Sequence, residues 1–225
     1  MAAGLTAAYR LRTMRIEEIF CSIQGEGSRR GRPCTFVRLT GCPLRCRWCD
    51  TAYAFHGGKE VSLDEIVERV NAFGPRLVCV TGGEPLAQDE VHALMGRFLD
   101  HGYEVLLETS GALDARPVDP RVVRILDLKA PGSAEVERNH WPTFAELRAS
   151  DEIKVVVADR GDFDWARDQI RELSLAEKVR CVLLSPVHGE LDPAELAEWI
   201  LEENLPVVLQ MQEHKLIWPG VERGV

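Results

Sequence analysis

No stretch of this 225-residue chain approaches the roughly 20 consecutive apolar residues that a membrane-spanning helix needs. Its opening residues also lack the apolar centre of a secretory signal. A cytoplasmic protein with no membrane partner is therefore expected. A surplus of basic charge is missing too: the net charge is −9, which weighs against direct nucleic-acid binding. Nor is there an even set of cysteines. Seven of them in a chain without an export signal argue against a disulfide scaffold, and close thiol clusters in that setting more often bind metal. Repeats, low-complexity tracts and an interdomain linker are absent as well, so one compact domain over residues 14–225 is expected, preceded by a loose tail over residues 1–13.

What is present is a recurring alternation of short β-branched runs and helical patterns, the mark of a parallel sheet built from βα units. Candidate strands cover residues 35–39, 77–81, 104–108, 123–128, 153–157, 180–184 and 206–210. Helices fit between them. Ser62-Leu63-Asp64-Glu65 is a capping box opening a helix that runs to Phe73 and stops at Gly74-Pro75. Residues 89–101, 163–173 and 192–203 carry the same periodicity, the last opening on Asp192-Pro193, a cap followed by proline at the first helical position. An α/β barrel, whole or partial, or an open doubly wound sheet fits this order. In either, chemistry gathers at the carboxyl ends of the strands, and four chemically loaded peptides fall there, after the first, second, third and sixth candidate strands.

The first of these peptides, residues 40–53, packs Cys42, Cys46 and Cys49 into eight positions. Tetrahedral zinc would want a fourth ligand, for which Cys34 and His56 are candidates without the usual paired spacing. An iron–sulfur cluster held by only three cysteines would leave one iron open, and the spacing favours it. Cys79 and Cys181 sit in apolar runs and read as buried small hydrophobes. Between Gly27 and Cys49 stand six arginines (Arg29, Arg30, Arg32, Arg38, Arg45, Arg47) and no acid. This basic island in an acidic chain suits an anionic ligand.

The Cys-x3-Cys-x2-Cys spacing, with Trp48 before the third cysteine, resembles the cluster loop of the radical S-adenosylmethionine enzymes. In that family three cysteinates hold a [4Fe-4S] cluster whose open iron chelates S-adenosylmethionine, the source of a 5'-deoxyadenosyl radical. The resemblance implies a partial barrel of about six βα units with a mostly parallel sheet. Thr81-Gly82-Gly83-Glu84-Pro85 looks like the family's GGEP motif, in which backbone and glutamate hold the cofactor's amino group. Glycines allow close backbone approach there and an acid suits an ammonium. Ser110 and Gly111 of the Glu108-Thr109-Ser110-Gly111 loop, and Lys129 after Asp127-Leu128, match further cofactor positions. So do Ser185, Pro186, Val187 and His188, the loop that faces the adenine, and Trp48 and Asp50 beside the cysteines.

The ordered set of peptides, from Ser22-Ile23-Gln24-Gly25-Glu26-Gly27 through the cysteines to the terminal QMQEHKLIWP, is similar to the 7-carboxy-7-deazaguanine synthase family. Those carbon–nitrogen lyases of queuosine biosynthesis convert 6-carboxy-5,6,7,8-tetrahydropterin by radical ring contraction with loss of ammonia. The radical arrives from the cofactor, so no protein side chain is assigned as catalytic. The resemblance implies substrate contacts from Ile23, Gln24, Gly25, Glu26, Arg38, Thr109, His214 and Pro219, with the C-terminal segment covering the substrate. It implies Mg2+ at Thr51, a homodimer, and a flavodoxin or ferredoxin as electron donor. From the residues alone, the amide, carboxylate and exposed backbone of Gln24–Gly27 can read the edge of a pterin, and Arg38 can clamp a carboxylate. Two departures stand out: Ser110 replaces a more usual Asn, and residues 130–150 show no pattern that assigns contacts. The competing readings are a radical activase acting on a glycyl-radical protein and, in another class, a zinc-stabilised RNA-binding module.

Overall fold

A computed structural model describes residues 12–225. The expected tail therefore lies almost wholly outside the described residues, and Thr13, its last member, already belongs to a strand. Among the described residues one sheet runs β1 (Thr13–Ile23), β2 (Pro33–Leu39), β3 (Lys59–Ser62), β4 (Leu77–Gly82), β5 (Glu104–Thr109), β6 (Val123–Asp127), β7 (Glu152–Val157), β8 (Cys181–Pro186) and β9 (Val208–Leu209). The spatial order is β3-β1-β2-β4-β5-β6-β7-β8-β9. From β2 to β9 every neighbour is parallel; β1 alone runs antiparallel, to both β2 and β3. No pairing joins β9 to β3, so the sheet is an open partial barrel, as the resemblance implies.

All seven candidate strands are present; β1 and β3 were not legible. The apolar alternation of β1 breaks where a bulge between Ile16 and Glu18 shifts its register, and a bulge disrupts the period-2 signal. The helices are α1 (Leu63–Phe73), α2 (Val91–Asp100), α3 (Trp141–Ala145), α4 (Arg160–Glu172), α5 (Leu175–Lys178), α6 (Pro193–Glu202) and α7 (Glu213–Ile217). Ser62 caps α1 as expected, its hydroxyl accepting from the Glu65 N–H at 3.2 Å. Helix α4 starts three residues before the expected Phe163 because Asp159 caps it, accepting from the Asp162 N–H at 3.0 Å.

Alternate side chains along each strand divide the core. Val37, Leu39, Val78, Val80, Val105 and Leu107 face outward onto Ile66, Val70, Leu94, Met95 and Phe98 of α1 and α2. Phe20, Phe36, Cys79, Leu106, Val123 and Ile125 face inward as a separate apolar floor, where the Phe20 and Phe36 rings stack at 5.0 Å. Above that floor the inward row becomes polar. Arg38 pairs in register with Thr81, Thr81 bonds to Glu108, and Glu108 lies opposite Ile125.

On the outer face the guanidinium of Arg124 is wholly buried. It donates to Asp151 Oδ1 at 2.9 Å and Oδ2 at 2.5 Å, to Ala115 O at 2.8 Å and to Glu146 O at 3.3 Å. One cation thus fastens two long excursions of the chain, before β6 and before β7, to the sheet. Removing one member of a buried pair strands the other charge. Asp151→Ala is expected to cost about 3–5 kcal/mol in a denaturant-unfolding measurement; a loss below about 1 kcal/mol would contradict this role.

Candidate active site

The cysteine loop leaves the carboxyl end of β2 and lines a cleft of about 780 Å3. Leu44, 1% exposed, anchors the loop in the protein. Arg45 holds its shape by donating to Cys42 O at 2.8 Å and Leu44 O at 2.6 Å, and its guanidinium lies 4.2 Å from the Phe55 ring. The segment after Lys129, in which the sequence shows no pattern, is what the loop leans on. The Arg47 N–H donates to Ser133 O at 3.1 Å, and the Arg45 N–H to Glu135 Oε1 at 2.5 Å. Asn139 clamps Lys129 at both backbone groups, 2.9 Å each.

Most of the arginine island is spent on ion pairs: Arg29 with Glu104 and Glu152, Arg32 with Glu104, Arg38 with Glu18, and Arg47 with Glu190. Arg38 is the member of the island that lines the cleft, and it keeps a fork for a ligand. Its Nε donates to Glu18 Oε1 at 2.8 Å, and neither Nη donates to a protein acceptor among the described residues. Although burial opposes the charge, Tyr53 and Glu18 hold its pKa above the ordinary value.

The GGEP peptide meets the cysteine loop through backbone. The Gly83 N–H donates to Leu39 O at 3.0 Å and the Glu84 N–H to Gly41 O at 2.7 Å. A Cβ at Gly83 would fall 2.1 Å from Gly41 O, and Gly82 has φ +136° with no room for one either, so only glycine lets the two loops touch. Glu84 itself does not line the cleft. Its buried carboxylate accepts from Thr109 Oγ1 at 2.9 Å, Ser110 N at 2.7 Å, Ser110 Oγ at 2.5 Å and Leu86 N at 2.9 Å. It knots the ends of β4 and β5 together. Gly111, Ser185 and Pro186 also lie behind the wall, the Ser185 hydroxyl donating to Gln210 O at 3.0 Å. Trp48, Asp50, Gly82, Gly83, Ser110, Lys129, Val187 and His188 face the cleft.

Ile23, Gln24, Gly25, Glu26, Arg38, Thr109, His214 and Pro219 line the same cleft. Glu26 bonds to Lys154 of β7, to Gln210 Nε2 at 3.2 Å and to Gln212 Nε2 at 2.9 Å. Burial would raise its pKa, but Lys154 and Gln212 outweigh that and hold the carboxyl below the ordinary value. The Glu213 N–H donates to Gly25 O at 3.2 Å, and His214 packs so close that a Cβ on Gly25 would lie 3.0 Å from its Nδ1. Burial also lowers the His214 pKa, against the pull of Glu26 and Asp50. Glu108, Asp127, Lys154, Gln212 and Lys215 line the same space; all but Lys154 stand in peptides quoted above, yet none has a role assigned from sequence, and strand register or the fold of the C-terminal segment brings them there.

The donor set fits the implied cofactors. Cys42, Cys46 and Cys49 all face the cleft, half-buried; burial pushes their thiols up, so binding would need a metal to draw off the protons. Cys34, a candidate fourth zinc ligand, is buried in the apolar floor with Phe36 and Leu77. Beside the third cysteine, Thr51 Oγ1 donates to Asp50 Oδ1 at 2.8 Å, and Lys215 lies 3.3 Å from Asp50 Oδ2. Hydroxyl and carboxylate oxygens are the hard donors magnesium takes.

The radical SAM superfamily pattern matches residues 36–128. The 7-carboxy-7-deazaguanine synthase of Koribacter versatilis is 44% identical over 94% of this chain and all of its own length. The 7-carboxy-7-deazaguanine synthase of Chlorobaculum tepidum is 46% identical over 94% of this chain and 97% of its own. The crystal structure of QueE from Escherichia coli superimposes with a TM-score of 0.69 at 26% identity, covering 89% of this chain and 94% of that one. Streptococcus suis SuiB bound to S-adenosylmethionine shares the fold at 12% identity, with a TM-score of 0.53 over 76% of this chain and 44% of that one. With this identity over nearly the whole length, the chain belongs to the 7-carboxy-7-deazaguanine synthase family of radical S-adenosylmethionine enzymes.

Proposed function

We propose that the cleft converts 6-carboxy-5,6,7,8-tetrahydropterin to 7-carboxy-7-deazaguanine with loss of ammonia. The observation that carries this reading is that one cleft is lined both by the three cysteines and by an arginine fork beside amide and carboxylate groups. Cys42, Cys46 and Cys49 would hold the [4Fe-4S] cluster. When bound, the cluster and S-adenosylmethionine supply hydrogen-atom abstraction from the carbon that bears the substrate's carboxylate.

The chain's own work is binding, orientation and exclusion of water. Gly82 and Gly83 bring backbone to the cofactor's amino-acid end, and Glu84 acts from behind by fixing Thr109 and Ser110. Trp48, Asp50, Lys129, Val187 and His188 supply the remaining open contacts, with Gly111, Ser185 and Pro186 shaping the wall. The Arg38 fork takes the substrate carboxylate, Thr51 would hold Mg2+ against the same group, and Ile23, Gln24, Gly25, Glu26 and Thr109 bound the ring. His214 and Pro219 belong to a C-terminal segment that covers the substrate. This supports a single catalytic domain over residues 14–225. The glycyl-radical activase has no observation in its favour, because a protein substrate would not need this enclosed polar wall.

The family resemblance supports a homodimer. A flavodoxin or ferredoxin suits Arg45 and Arg47, which stand exposed on the cysteine loop. No helix among the described residues is long and apolar enough to cross a membrane, and a cytoplasmic setting suits an oxygen-sensitive cluster. Arg38→Ala is expected to raise KM for the carboxytetrahydropterin about 10- to 100-fold while S-adenosylmethionine affinity stays within about twofold. Equal losses in both would mean that Arg38 holds the loop instead. Cys46→Ala is expected to lose cluster iron and visible absorbance together while the far-UV circular dichroism of the fold persists; retention of the cluster would overturn the ligand assignment.

A further inference from the structure

We propose that Glu18 is a positioning residue for substrate binding: from the bulge in β1 it fixes the Arg38 guanidinium by its Nε, which leaves the two Nη groups to grip the substrate's carboxylate end-on. The inference rests on the substrate reading above and names the residue that aims the fork. A long arginine side chain loses rotamer freedom when it grips a ligand. A partner that fixes it beforehand removes that cost from binding.

Glu18 stands opposite Arg38 across the β1–β2 pair, just past the register shift that follows Ile16. Consecutive side chains of an unbroken strand point to opposite faces. Here Glu17 and Glu18 both reach groups that touch the Tyr53 ring. Glu18 Oε1 accepts from Arg38 Nε at 2.8 Å, and the Arg38 guanidinium carbon lies 5.9 Å from that ring. Glu17 Oε1 accepts from Arg223 Nη1 at 3.1 Å, and the Arg223 guanidinium carbon lies 4.2 Å from the same ring. A bulge beside a functional site re-aims side chains in this way.

The holder is itself held. The Tyr53 hydroxyl donates to the same Glu18 Oε1 at 2.8 Å. Burial and the bond to Glu18 push the Tyr53 phenol up, against the pull of Arg38, so it stays a donor. The Phe20 ring, 5.7 Å from the guanidinium carbon, adds a second aromatic contact. Arg124 shows what a structural pairing looks like in this fold: Asp151 takes both its Nε and its Nη2, and backbone carbonyls take further N–H groups. Glu18 takes Nε alone. A carboxylate can pair side-on with Nε and one Nη or end-on with both Nη, and with Nε engaged the end-on mode is the one left.

The test is a double-mutant cycle on the reconstituted holoenzyme, with Glu18→Ala made in the wild type and in Arg38→Ala. KM is measured for the carboxytetrahydropterin, and Kd for 7-carboxy-7-deazaguanine, which keeps the carboxylate, by equilibrium dialysis. In the wild-type background Glu18→Ala should raise both about 10-fold, with cluster content and S-adenosylmethionine affinity unmoved. In the Arg38→Ala background the same replacement should change KM and Kd by less than about twofold, because a residue that acts through Arg38 has nothing left to aim. Unchanged values in the first background, or an equal further rise in the second, would overturn the proposal. Should Glu18→Ala fail to fold, Glu18→Asp decides. It keeps the charge but shortens the reach by one methylene, so KM should rise about fivefold, and a wild-type KM would overturn the proposal. Failure of the wild type to turn over the carboxytetrahydropterin would sink the substrate reading and this inference together, whereas wild-type turnover with an indifferent Glu18→Ala would sink this inference alone.

Discussion

Two opposite charges, Glu26 and Lys154, meet inside the protein, and most of the cleft is arranged around them. Burying such a pair costs several kcal/mol per ion, recovered only when further hydrogen bonds satisfy both groups. On the Glu26 side Gln210 and Gln212 supply such bonds, both donating to the carboxylate. The consequence is topological. Glu26 lies just after β1, Lys154 on β7, and the two glutamines near the C-terminus, so one polar cluster ties together segments from opposite ends of an open sheet. The Gly27 N–H adds to it by donating to Gln210 Oε1 at 2.6 Å. This clasp holds the loop after β1 over the barrel interior together with the Glu213–Gly25 backbone bond and the Arg29 ion pairs.

The two walls are made by different means. The cofactor side is mostly backbone against backbone, with glycines where loops touch and a hidden glutamate as the knot. That gives a rigid surface with little side-chain freedom to lose when a ligand binds. The substrate side is a row of charged and amide side chains above an apolar floor, each aimed by a neighbour. Such a row can tell one ring edge from another, because a mismatched ligand leaves buried polar groups unpaired.

Much of this was legible in the sequence because it rests on local pattern. The seven parallel strands, the Ser62 cap and the cysteine spacing depend on residues close together in the chain. Strand β1 was hidden by its bulge, and β3 is only four residues long and runs into a helix cap. Glu84 was readable as part of a motif, yet its burial depends on Thr109 and Ser110 of the next strand. Lys154 lies inside one candidate strand and Glu108 ends another, and nothing local in the sequence gives either a role; only strand register turns them inward. The arginine island promised one anionic site, but acids from strands distant in sequence claim most of it and leave Arg38's fork open.

The most direct measurement is anaerobic turnover. The reconstituted protein is supplied with 6-carboxy-5,6,7,8-tetrahydropterin, S-adenosylmethionine, Mg2+ and a reductant, and 7-carboxy-7-deazaguanine and ammonia are quantified. Equal amounts of deazaguanine and ammonia, formed over many turnovers, are the predicted result. Release of 5'-deoxyadenosine with no deazaguanine would contradict the account, for it would leave a working radical site facing the wrong substrate.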